Sequence, residues 1–233
     1  MVAALAAFPP RWPSSPQELT ATQLSLAAAT PEPWRPGGDA TSIGACALVF
    51  PRGMTGRGQR GDHAWAAATV LIRRSVVAEA VVDGVAAGPY MPGLLALREG
   101  PSLESAVRAL PALPDVLLVD ATGRDHPRRA GLALHLGAVI GVPTVGVTHR
   151  PLLARGRWPT DARGAHAPLS VDDEVVAAWL RTRRGARPEV VHPGWRTTLD
   201  EAIDVVSMAA LGLRTPEALR HARHLARIAR AKG

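Results

Sequence analysis

A chain of 233 residues, 47% of them hydrophobic, is long enough to bury a full core and reads as one α/β domain with appendages. Its formal net charge is +7, and every basic residue but Lys232 is arginine, whose planar fork suits phosphate oxygens, although an arginine-rich coding bias gives the same excess. The single cysteine, Cys46, excludes an internal disulfide framework and fits a reducing compartment, and no apolar run is long enough to cross a bilayer, so a cytoplasmic protein is expected.

The start, M-V-A-A-L-A-A-F, is apolar but short and lacks a basic leader, so it is not read as a signal peptide. Residues 1–38 form a Pro/Ala-rich arm in which Ser15 to Thr30 predicts one short helix; residues 39–233 are read as a single domain. Ser42 to Phe50 is a continuous apolar run, hence a buried strand. A loop with four glycines and three arginines follows over Pro51 to Asp62. Trp65 to Ile72 and Val76 to Val82 are two more strands around the turn Arg73-Arg74-Ser75, which together predicts an antiparallel meander.

The pattern then alternates between helix and strand. Leu103, Ala106, Val107 and Leu110 fall at helical spacing, giving a helix over Ser102 to Leu110. Val116 to Val119 is a strand, Arg128 to Ile140 a largely apolar helix and Thr144 to Val147 a strand. Arg150 to Val171 is expected to be a long loop, and Val175 to Thr182 with Glu189 to Val191 a hairpin. Thr198 and Glu201 form a capping box for a helix over Leu199 to Val206, and Thr215-Pro216 starts a last helix by cap and N1 proline. Arg220, Arg223, Arg227 and Arg230 lie along one side of that last helix, which reads first as a solvated face. The order predicts a mixed α/β sheet with helices on both faces.

Three segments concentrate the chemistry: P-Y-M-P-G-L-L-A-L-R-E-G-P from Pro89, L-V-D-A-T-G-R-D-H-P-R-R-A-G-L-A-L-H-L-G from Leu118, and P-T-V-G-V from Pro143. Glu99 precedes one predicted helix and Asp120 ends a buried strand, with Arg128 and Arg129 close behind. Two carboxylates at such ends, with arginines beside them, suit a divalent cation and a phosphodiester.

These motifs, with P-G-x-R-x-x-L-D from Pro193 and L-R-T-P-E-A-L-R-H-A-R from Leu213, resemble the endonuclease V family over the span from Trp12 to the C-terminus. The resemblance implies a ribonuclease H-like sheet and a monomer. It also implies a nuclease acting on inosine-containing DNA or RNA, a DNA-repair role, and Mg²⁺-dependent (or Mn²⁺-dependent) hydrolysis on the 3′ side of the lesion. Position by position it makes Glu99 and Asp120 metal-site acids, and Tyr90, Met91 and Pro92 the wedge that holds open the gap left by a displaced base. It places His126 beside the cleaved strand as a catalytic residue, followed by Arg128 and Arg129 as nucleic-acid contacts.

Three positions depart from the family pattern. Ala47 is read at the first-strand Asp, with Cys46 beside it. His149 replaces a lysine after P-T-V-G-V and keeps a phosphate contact or joins a solvated loop. Trp195 replaces a histidine near the metal and packs in the core or stacks on a base. These losses predict weakened Mg²⁺ binding and leave Asp39, Asp62 and Asp125 as acids that could substitute. Two alternatives to a working nuclease stay open: a catalytically impaired descendant that binds nucleic acid or a partner without cleavage, and a cleft that holds another small ligand. Cys46 reads as a small buried residue and His135 as a core histidine.

Overall fold

The computed structural model describes residues 12–37 and 40–233. Eight strands form one sheet in the order β3-β2-β1-β4-β5-β8-β7-β6. They are β1 Ser42–Val49, β2 His63–Ile72, β3 Ser75–Val85, β4 Val116–Val119, β5 Thr144–Thr148, β6 His166–Val171, β7 Glu174–Leu180 and β8 Glu189–Pro193. The helices are α1 Pro16–Ala28, α2 Leu95–Arg108, α3 Leu132–Ile140, α4 Leu199–Ala210 and α5 Glu217–Lys232. The first three strands pair antiparallel, β1-β4-β5 pair parallel, and β8, β7 and β6 complete the sheet antiparallel. This is the expected meander followed by βαβ units.

Side-chain alternation assigns the two faces. Cys46, Leu117 and Val119 pack with α2 and α3, whereas Ala45, Ala47, Val116 and Leu118 pack with α4 and α5. The central strands are apolar on both sides because helices cover both sides. Ser15 caps α1 by accepting from the Glu18 amide, and Leu19, Gln23 and Leu26 of that helix are buried. Trp12 donates to Glu104 at 2.7 Å and packs its ring at a tilt on His135 with centroids 4.5 Å apart, so the described part of the segment expected as an arm reaches α2 and α3.

Several elements differ from the sequence reading. Helix α2 begins at Leu95 and carries Pro101 inside it, so Glu99 sits on the helix and not ahead of it. Gly100-Pro101 reads as a break, but burial of Ala96, Leu97, Leu103 and Val107 outweighs the one backbone hydrogen bond that proline forfeits. A side chain at Gly100 would collide with the Trp12 ring, which accounts for the glycine. Helix α3 starts four residues later than expected, because Arg129 takes a left-handed φ of 54° and ends the His-Pro-Arg-Arg turn.

The expected loop over 150–171 contains β6. It pairs with β7 across the two-residue turn Asp172-Asp173, both at positive φ as a tight hairpin requires. The capping box at Thr198 and Glu201 is present. Thr215 does not cap α5; its hydroxyl donates to Glu189 at 2.8 Å, and Pro216 takes the N-cap position.

His135 and His192 are buried, each with an Nδ1 that has no partner, and burial pushes both pKa values down to about 4 from 6.5. A folded value below the unfolded one means that the unfolded chain takes up more protons as the pH falls. Their contribution is therefore full above pH 6.5 and is lost progressively toward pH 4. His135→Phe should reduce this sensitivity, so that its melting temperature gains on wild type as the pH drops from 6.5 to 4. A difference independent of pH would show that His135 is charged in the fold.

Candidate functional site

Parallel pairing sends the C-terminal ends of β1, β4 and β5 to one rim of the sheet, where open α/β sheets bind ligands. Asp120 follows β4 directly and is half-exposed there. The chain from Ala121 to Gly123 then crosses tightly over its neighbours. A Cβ on Gly146 would strike the Ala121 carbonyl oxygen, and one on Gly123 would strike that of Pro193. These close approaches explain the glycines of L-V-D-A-T-G and P-T-V-G-V, and they fix where Asp120 points.

Glu99 reaches the same region from α2. Burial first, and then the negative charge of Asp120, raise its pKa from 4.5 to about 7 against the opposing charge of Arg98. Cys46, opposite Val119 in the β1–β4 register, is buried, and its thiol is pushed up by burial and by the charges of Asp120 and Glu99. Each predicted acid therefore lies in the other's field, and the β1 residue that feels both is Cys46. Ala47, the position read as the missing Asp, faces the other way toward α4 and α5. Counting Gly-x-Asp from Gly44 also lands on Cys46, whereas counting back from Phe50 misplaces the match by one residue.

Opposite Glu99, α5 contributes a residue that sequence reasoning left on a solvated face. Arg223 Nη2 lies 2.6 Å from Asp120 Oδ2, with only 19% of its side chain exposed. Asp120 is thus met by a guanidinium from one face of the sheet and a protonation-prone carboxyl from the other.

The loop of Tyr90, Met91 and Pro92, expected as the wedge, is held by a second group of contacts. Tyr90 is exposed, its amide bonded to the Arg57 carbonyl at 2.7 Å, and Met91 accepts from the Leu94 amide in the next turn. The carbonyl of Gly93, itself at φ 74°, receives Gln23 Nε2 at 3.0 Å, Arg128 Nη2 at 2.8 Å and His126 Nε2 at 3.0 Å. Arg128 also donates through Nε to Gln23 Oε1 at 2.6 Å. His126 Nδ1 accepts the Arg128 amide, which assigns the proton to Nε2 as donor to Gly93. Burial lowers the His126 pKa to about 4, so the ring is neutral and committed to the loop. His126 thus holds the Gly93 loop and the Arg128 turn through both ring nitrogens. Gln23, on α1, gave no signal in the sequence.

Between this loop and the rim lies a cavity of about 210 Å³, walled by Tyr90, Pro92, Asp120, Thr122, His126 and Leu152. Pockets for drug-sized ligands start near about 300 Å³, so this space suits a single ring system.

The remaining candidates are engaged elsewhere. Arg129 turns to Glu174 at 3.2 Å and Asp172 at 3.5 Å. His149 bonds Glu189 at 2.7 Å, a buried carboxylate that Arg214 and Thr215 also contact. Trp195 packs on Leu26, Ala130 and Leu134 beside the start of β5, the end of that strand opposite Asp120; it is core and not a neighbour of the acid pair. Asp125 is buried and accepts the amides of Leu152, Leu153 and Ala154 at 2.6–2.8 Å, so it fixes that loop. Asp62 pairs with Arg98 at 2.9 Å and accepts the Gln59 amide, ordering the 51–62 loop. Asp39 lies outside the described residues.

Magnesium demands hard oxygen ligands in near-octahedral array. Among the described residues no group of three His, Cys, Asp or Glu side chains could hold a metal ion. The centre offers a carboxyl that retains its proton to about pH 7, a carboxylate already bound to Arg223, and a neutral buried thiol. This donor set does not fit Mg²⁺.

The raised value of Glu99 has a measurable sign. The unfolded chain releases this proton near pH 4.5 while the fold keeps it to about 7, so stability falls as the pH rises across that window. Glu99→Gln should match wild type near pH 4 and exceed it above pH 7 by on the order of 2 kcal/mol. Chemical denaturation at several pH values reads this; a difference that fails to grow would mean that Glu99 is ionised throughout.

Comparison with known proteins matches the endonuclease V family model over residues 53–224. A curated endonuclease V from Streptomyces avermitilis is 37% identical over 224 residues, covering 94% of each chain. A crystal structure of endonuclease V from Streptomyces avermitilis superposes with a TM-score of 0.86 at 36% identity, covering 96% of both chains. The fold also recurs in Ciona intestinalis endonuclease V, solved in complex with a 24mer DNA containing an inosine followed by a ribo-adenosine. There the TM-score is 0.76 at 19% identity, covering 93% of this chain and 98% of that one. With its ribonuclease H-like sheet and a match across most of its length, this chain belongs to the endonuclease V family.

Proposed function

We propose that the chain recognises nucleic acid carrying a deaminated base, inosine in particular, and holds it without Mg²⁺-dependent cleavage. The observation that carries this reading is the cavity between the Tyr90 loop and Asp120, sized for one fused ring system, its loop locked by three donors on one carbonyl. A base is read only after it leaves the stack, which requires a pocket and a wedge that keeps the gap open. Tyr90, Met91 and Pro92 supply the wedge, and the ring of Tyr90 is exposed for stacking. The family relationship supplies the ligand class, since an endonuclease V relative is solved with inosine-containing DNA.

A second reading is hydrolysis 3′ to the lesion with Mg²⁺ or Mn²⁺. The convergence of Glu99 and Asp120 at the rim favours it, and the ion pair of Asp120 with Arg223 opposes it.

Electrophoretic mobility shifts on otherwise identical DNA and RNA oligonucleotides, with and without inosine, test the binding. Inosine-dependent complexes are expected in EDTA, and Tyr90→Ala should weaken them by about tenfold, the loss of one stacked ring. Equal affinity for both sequences would defeat the proposal. The same mixtures with Mg²⁺ or Mn²⁺ should give no nicked product; a nick that disappears in Asp120→Ala would instead establish the second reading.

A further inference from the structure

Arg223 is the structural novelty of this centre. It lies on α5 with Arg220, His224 and Arg227, along a groove of about 370 Å³ that these residues line with Glu217 and His221. Of these side chains it is the one that bonds Asp120, at 2.6 Å. Arg220 pairs within its own helix with Glu217 at 3.7 Å, and His221 turns to Glu79. Among the described residues Asp120 has no other cationic partner, and the groups whose charges it shares, Glu99 and Cys46, carry no positive charge.

We propose that the Arg223 guanidinium is a built-in cation that occupies the position of the divalent ion, neutralising Asp120 and shutting metal out of the cleft. Two effects act together. A fixed positive charge within hydrogen-bond distance repels an approaching divalent cation. The bonded Oδ2 is also a strong charge-assisted acceptor already in use, so a metal must break that contact before it gains its own. Cys46 removes the third charge such an ion would need: a buried neutral thiol offers no hard oxygen. The guanidinium at the mouth of a basic groove leaves the cleft attractive to phosphodiester oxygens without an ion to bridge them.

This inference rests on reading Glu99 and Asp120 as the family's metal-site acids, and its test contains no nucleic acid, so it stands or falls apart from the proposed ligand. Electron paramagnetic resonance titration of free Mn²⁺ against the full chain should show no saturable site in wild type up to millimolar metal. Arg223→Gln should create one, tighter by on the order of tenfold or more. Arg223→Lys, which keeps the charge, should not, and the double variant Arg223→Gln/Asp120→Asn should lose the new site. Circular dichroism checks that each variant is folded. If Arg223→Gln is folded and gains no site, the proposal fails. If it does not fold, wild type decides. A saturable wild-type Mn²⁺ site abolished by Asp120→Asn overturns the proposal, and the absence of such a site supports it.

Discussion

The site depends on the parallel register that sets β4 between β1 and β5, with Cys46 beside Val119 and Val119 beside Gly146. Parallel strands end together, so the residue after β4 stands at a rim shared by three strands. Helices reach that rim from both faces of the sheet: α2 brings Glu99 and α5 brings Arg223. Neither helix could be shifted by a turn without separating these groups, and the glycine contacts at Gly123 and Gly146 leave the connecting chain no slack. Packing of ordinary apolar residues therefore fixes an electrostatic arrangement that none of those residues takes part in.

That arrangement solves one problem in three ways. Negative charges gathered at a partly desolvated rim repel one another and must be neutralised. Glu99 keeps a proton to about pH 7, Asp120 takes a guanidinium, and the β1 position is a thiol that burial keeps neutral. In a metal centre a divalent ion would meet all three needs at once. Here each need is met by a covalent part of the chain.

The fold was largely legible because it rests on periodicity and capping. The apolar runs of β1, β4 and β5, the meander and the Thr198–Glu201 box all act locally. The misreadings occurred where tertiary contacts override local signals. Gly100-Pro101 reads as a break until Trp12, 88 positions away, is seen lying against Gly100. Glu99 and Asp120 could be named from motifs, as could the Tyr90 loop. Arg223 could not, because an arginine on an amphipathic helix has no sequence mark that separates a solvated face from an ion pair. Gln23 was equally silent, since its role is a hydrogen bond to a carbonyl 70 residues away. His126 could be named from the motif, but its two hydrogen bonds, which engage both ring nitrogens, could not.

The two halves of the cleft therefore answer to different forces. The wedge loop is secured by neutral or singly charged donors from Gln23, His126 and Arg128 converging on the Gly93 carbonyl, and Asp125 anchors the facing loop through three amides. None of these bonds uses Glu99, Cys46 or Arg223. A cavity held this way keeps its shape whatever happens to the charges at the rim, so a substitution at the acid pair need not cost the cavity. Only Asp120 belongs to both halves, lining the cavity while bonded to Arg223. A phosphodiester entering beside the cavity would meet that ion pair first, and its oxygens would compete with Asp120 for the guanidinium. That competition is a binding interaction in its own right and requires no hydrolysis.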